Sequence, residues 1–181
     1  QALMFIMTIP GVPTIYYGTE QEFIDTRPAM FAKGYGSEGE DHFDTESRAF
    51  QYLEELIKLR KETPAFRRGK WEIIKDVPYG PGVFIYKMSH EDEEFLVVMN
   101  TQKDDVIALG DQANLKKRIY FKEVFRAGVK AASIRTDEKG RFYGQVPGQF
   151  AGIYQMEKDT FPSVILFSGL EFKNVSVRGD V

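Results

Sequence analysis

The chain opens on an unbroken apolar run, Ala2-Leu-Met-Phe-Ile-Met-Thr-Ile9, stopped by Pro10 and Gly11. Apolar on every side, it predicts a buried helical element. It is far shorter than the ~20 residues needed to cross a bilayer, so no membrane partner is expected. Ile15, Tyr16 and Tyr17 follow, a β-branched and aromatic run that suits a buried strand. Pro13 sits where a strand's first residue tolerates proline, and Gly18 ends the run. Behind Gly18 stand Glu20, Gln21 and Glu22. A strand that empties into a polar loop is how an α/β barrel presents function at its strand ends. Helix, Pro-Gly and buried strand together read as one α-to-β step of a parallel α/β fold.

Residues 24–44 carry no periodicity and predict a long loop, rich in glycine and acidic side chains. Loops of this length are functional or disordered. Arg27, Phe31 and Tyr35 are of the types that contact sugars by stacking and hydroxyl hydrogen bonds; a mobile surface loop is the alternative. Residues 45–63 predict the clearest helix. Phe50, Leu53, Leu56, Ile57 and Arg60 recur at helical spacing, Asp44 or Thr45 offers a cap, and Pro64 stops it.

From Lys70 the period changes to that of strands. Short runs at 71–74, 83–88, 95–100, 104–109, 119–125, 129–135, 142–146 and 152–156 alternate with polar turns. Many short strands at such spacing argue for an antiparallel sandwich of Greek-key type. Asp137-Glu-Lys-Gly140 makes a good hairpin connection. Trp71, Ile85, Val97 and Ile153 are its expected core. Two further runs, 161–167 and 174–177, either begin another module or pair back onto the sandwich. Asn174-Val-Ser176 fits a glycosylation acceptor, a triplet common by chance.

The order helix, G-V-P-T-I-Y-Y-G-T-E-Q, amphipathic helix ending L-I-K-L-R-K-E-T-P-A resembles the last part of the α-amylase superfamily of glycoside hydrolases. The wording of the motif is similar to that of amylases and cyclodextrin glucanotransferases. The motif residues are Gly11, Pro13, Tyr16, Tyr17, Gly18 and Glu20. The resemblance implies the last strand and helix of a (β/α)8 TIM barrel in residues 1–66 and a C-terminal β-sandwich domain in 67–158. Residues 159–181 are then extra strands or the start of a further module. The chain as a whole is expected to be mainly β, and the sandwich to stand without the barrel piece.

The resemblance also implies an enzyme acting on α-glucans, starch or maltooligosaccharides, by retaining double displacement. Its three catalytic carboxylates come from earlier barrel strands, so none is carried onto this chain. Glu20, Glu22 and Asp25 offer carboxylates, but one strand supplies no opposite wall for a pair. In the superfamily an Asp and an Arg after the motif contact a donor-side sugar, which makes Asp25 and Arg27 candidates by type. The chain alone is expected to be inactive, with no cofactor of its own and calcium allowed in the parent enzyme. Alternatives are a non-catalytic carbohydrate-binding module using Trp71, Tyr79 or Tyr35, and a non-enzymatic superfamily member acting as an interaction subunit. The unpaired barrel strand could join a second copy into a homodimer.

Composition narrows this little further. The 181 residues are 43% hydrophobic with a net charge of −3, enough for a core and without the basic stripe of a nucleic-acid binder. Arg67-Arg68-Gly-Lys70, the one basic clump, reads as a short solvated turn rather than a phosphate site. Without cysteine there is no disulfide, thiolate zinc site or cysteine nucleophile, and the compartment stays open between secreted and cytoplasmic. Glu38, Glu40, Asp41, His42 and Asp44 lack the spacing of a calcium loop and read as solvated, as does His90. A start at Gln1 inside an apolar run, without Met, reads as part of a longer protein.

Overall fold

The computed structural model describes residues 1–25, 27–109, 115–116, 119–129 and 134–156. Within them, strands β1 (Lys70–Lys75), β2 (Val83–His90), β3 (Glu93–Asn100), β8 (Phe150–Met156) and β5 (Phe121–Ala127) pair in that spatial order into one antiparallel sheet. Strands β4 (Val106–Leu109), β7 (Phe142–Val146) and β6 (Arg135–Thr136) form a second, also antiparallel. The helices are α1 (Ala2–Thr8), α2 (Arg48–Glu62) and α3 (Pro64–Arg68). The chain is mainly β with few helices, as its pattern predicts.

Period-two alternation sorts the first sheet's side chains onto two cores. Val83, Ile85, Leu96, Val98, Phe150 and Tyr154 face the second sheet, where they meet Ala108, Ile134, Phe142 and Val146. Tyr86, Met88, Phe95, Val97, Met99 and Ile153 face the helices, where they meet Met4, Met7, Leu53, Leu56 and Phe66. β3 is therefore buried at every position from Phe95 to Asn100, which explains its continuous apolar run. Gly152 lies beside it in β8, where a Cβ would fall 2.7 Å from the Phe150 ring and 2.8 Å from that of Tyr154. All six methionines are buried: 4, 7, 30, 88, 99 and 156.

Ile85, Val97 and Ile153 are core residues, as expected, but Trp71 is 43% exposed. β1 is an edge strand, so the indole meets only one side: Phe5 and Tyr86 touch it edge to face, at centroid distances of 6.5 and 6.2 Å. The strand expected at 129–135 is regular only at Arg135–Thr136, residues 130–133 lying outside the described part. The runs at 161–167 and 174–177, the triplet at Asn174 and the whole of 159–181 also lie outside it. The hairpin at Asp137 forms, with Gly140 N donating to Asp137 O at 3.0 Å.

α2 starts three residues later than its pattern suggests. Ser47 is the cap, accepting from Phe50 N at 3.2 Å, while the Asp44 carboxylate accepts from Glu46 N at 2.8 Å one turn earlier. Arg60, on the apolar stripe, is buried. Its guanidinium donates to the carbonyls of Met7, Ile9, Gly11 and Phe66 at 2.7 to 2.9 Å. It joins the end of α1, the turn after it, and α3. A seven-residue helix is too short to stand alone, so packing and this cation hold α1.

The strand expected through Ile15, Tyr16 and Tyr17 is not formed: residues 11–17 have neither helix nor strand. Ile15 is half-buried against the helix core, and both tyrosines are exposed. A strand needs a neighbour to take its amides and carbonyls, and this stretch pairs into neither sheet of the described residues.

Candidate functional site

The motif's last residues are shaped by a turn that only glycine permits. Gly18 stands at φ 83°, and a Cβ on it would lie 2.5 Å from the Phe23 ring. The chain then makes one 3-10 turn, Thr19–Gln21. Gln21 clasps the Asp44 backbone from both ends of its amide, Nε2 donating to the carbonyl at 3.0 Å and Oε1 accepting from the amide at 3.4 Å. The Ser47 hydroxyl, besides capping α2, donates to Glu20 O at 2.9 Å. Glu20 and Gln21 thus serve to dock the start of α2.

The described residues of 24–44 form no helix or strand, as predicted, yet they are tied down. Tyr17 Oη accepts from Met30 N at 2.8 Å, and His42 N donates to Met30 O at 2.7 Å. Met30 and Ser37 are buried, and the Ser37 hydroxyl donates to the carbonyls of Ala32 and Gly34. The His42 ring stands edge-on to Phe23 at 5.0 Å.

This loop and the motif's tail enclose an open depression of about 320 Å³. Its walls include Glu22, Phe23, Asp25, Glu38, Glu40 and His42. Of the three expected sugar contacts it brings in only Asp25. Arg27 is exposed outside it, and Tyr35, 83% exposed, projects from the loop elsewhere. Glu20 is half-buried and not among its walls, so Glu20 and Glu22 do not face each other across it. A retaining glycosidase holds its two carboxylates about 5–5.5 Å apart on opposite sides of the scissile bond. An acidic, one-sided depression can bind hydroxyls or cationic groups; it builds no second wall for such a pair.

Among the described residues, no group of three or more His, Asp or Glu is placed to hold a metal ion. No described helix is long and apolar enough to cross a membrane.

Sequence reading placed Arg60 as one more stripe position near a helix end and missed its carbonyl cluster. The signal was present: a cation where the stripe calls for an apolar residue. The Gln21–Asp44 clasp and the Tyr17–Met30 tie left no local pattern, because their partners are 23 and 13 residues apart.

No family model matches the chain. In sequence it is 27% identical over 138 residues to a cyclomaltodextrin glucanotransferase of Klebsiella oxytoca, covering 74% of this chain and 20% of that protein. It is 28% identical over 134 residues to a cyclomaltodextrinase of Thermoanaerobacter pseudethanolicus, covering 70% of this chain and 21% of that protein. In structure it is similar to an Anoxybacillus α-amylase, with a TM-score of 0.66 at 21% identity, covering 88% of this chain and 32% of that one. The chain therefore spans about a fifth of the length of these curated relatives. The relatives and the structural neighbour are α-amylase superfamily enzymes, in keeping with a C-terminal part of that superfamily.

Proposed function

We propose that these 181 residues are a C-terminal part of an α-glucan-acting glycoside hydrolase or transglycosylase. They would comprise the last barrel segment, residues 1–66, and the C-terminal β-sandwich. The catalytic carboxylates of a retaining mechanism lie in this reading outside the chain. The observation that carries it is the mismatch of coverage: the likeness takes in 74% of this chain but only 20% of the glucanotransferase. In the whole enzyme the 24–44 loop would meet the donor side of the sugar chain, with Asp25 in the depression and Arg27 and Tyr35 on the loop's exposed surface as candidate contacts. Any calcium ion would be held by the part not present here. Residues 11–17, with Val12, Tyr16 and Tyr17 exposed, are the seam along which a barrel would close. Without that barrel, a second copy is the partner expected there.

The test is an assay of the 181-residue chain on starch, maltooligosaccharides and cyclodextrins. No release of reducing sugar or transfer product is expected. Release that Glu20→Gln abolishes would overturn the reading. Expression together with the upstream reading frame is expected to give an active enzyme. An upstream barrel without its three carboxylates would favour a non-enzymatic interaction subunit instead.

A further inference from the structure

The 24–44 loop has a small core of its own, and a residue of the motif holds that core from outside. Met30 is buried, and both of its backbone groups are taken. Its amide donates to Tyr17 Oη at 2.8 Å, and its carbonyl accepts from His42 N at 2.7 Å. The Tyr17 ring stands edge-on to Phe23, with centroids 6.4 Å apart and planes at 76°. Phe23 in turn stands edge-on to His42, with planes at 88°. Edge-to-face contact is an arrangement that ring quadrupoles favour. Tyr17, Phe23 and His42 therefore form a column, and Met30 is bonded to the residues at both its ends. Gly18, bare of a Cβ, leaves room for the Phe23 ring in it. Phe23 and His42 are also walls of the acidic depression, as are Pro28 and Ser37 of the loop, whereas Tyr17 is not. Any effect of Tyr17 on the depression therefore passes through the loop.

We propose that Tyr17 is the positioning residue of this loop: its hydroxyl fixes Met30, and with it the walls of the depression, before any sugar arrives. It rests on the reading above, in which the loop meets the donor side of an α-glucan. A long loop without helix or strand loses backbone and side-chain freedom when a ligand orders it, and that loss weakens binding. Here the ordering is already present in the free protein, through the Met30 bonds, the buried Ser37 hydroxyl and the Gln21 clasp. Gln21 closes the neck of the loop on Asp44, while Tyr17 reaches its middle. A phenol suits that task, because its acceptor oxygen is carried on a rigid ring with only two rotatable angles. The consequence falls on affinity rather than on the chemical step. With the tie cut, part of the binding free energy goes into ordering the loop, equally in ground and transition states. Every sugar chain long enough to reach the loop shares that loss, and shorter ones escape it.

Tyr17→Phe tests this, since it removes the hydroxyl and keeps the ring against Phe23. In the 181-residue chain, hydrogen exchange followed by NMR should show the Met30 amide exchanging about fivefold faster or more, with thermal melting little changed. In the chain extended by its upstream reading frame, the variant should raise KM roughly threefold or more for long maltooligosaccharides at unchanged kcat. For the shortest oligosaccharide that the extended protein cleaves, both constants should stay as in the wild type. Unchanged exchange at Met30 would overturn the proposal. So would faster exchange with unchanged KM, or a change in KM or kcat that is the same for short and long substrates. A wild-type extended protein that attacks no α-glucan would instead overturn the α-glucan reading, with the exchange result still deciding whether Tyr17 holds the loop.

Discussion

Arg60 sits buried among four carbonyls, three of them at or just past the end of α1. Burial, and the neighbouring Arg67 charge, lower its pKa, yet a guanidinium remains charged. Arg60→Met keeps an unbranched apolar stem, though a shorter one, and removes every one of those donors. Hydrogen bonds from a charged group contribute about 1.5–3 kcal/mol each, and the carbonyls of Met7 and Phe66 would be left behind in buried positions. A loss of at least about 3 kcal/mol is expected in urea unfolding, whereas exposed Lys61→Met should stay within about 0.5 kcal/mol. Asp137 shows the opposite, exposed case. The backbone amide of Arg141 is the main cause holding its carboxyl down, helped by the Arg141 guanidinium and the Lys139 amide, from 3.8 to about 2. A lowered folded value stabilises the hairpin above the ordinary carboxylate range, and that contribution fades as pH falls towards 2. An NMR titration should place the Asp137 midpoint near the folded value, and Asp137→Asn should flatten this part of the acid limb.

At the scale of elements, the three helices act as a lid on one face of the first sheet. Beneath them lie Tyr86, Met88, Phe95, Val97, Met99 and Ile153. A chain beginning at residue 67 would expose that face, an apolar patch of the kind that drives association. It is therefore expected to self-associate in sedimentation and to melt lower than the full chain. A monomer of undiminished stability would show that the sandwich stands alone, as its contiguous strands led one to expect. The strands themselves were legible because side-chain pattern is local: β7 announces itself by alternation, and β2, β3 and β8 by short, nearly continuous apolar runs. The Trp71 environment was not legible, since being an edge strand depends on which strands pair and not on the run itself. The 11–17 stretch has strand composition but lacks a neighbour, and composition cannot supply one. Asp25, Arg27 and Tyr35 were chosen by type; whether they converge depends on loop ties such as Tyr17 to Met30, which have no periodicity to read.

For the whole molecule, the first sheet is shared by two cores, so neither can open fully without disturbing the other. Tyr86 links them to the N-terminus: its hydroxyl meets Thr8 Oγ1 of α1, and burial pushes its pKa up strongly. Such a molecule is also chemically quiet towards oxidants. It offers a peroxide no thiol, and every thioether sulfur belongs to a buried residue. Sulfoxide formation would have to wait for an opening, because exposure sets susceptibility. The order in which the six methionines oxidise would therefore rank the elements by how often they open. Met4 and Met7, on a seven-residue helix pinned by one arginine, would be modified ahead of Met88 and Met99 in the strands beneath them.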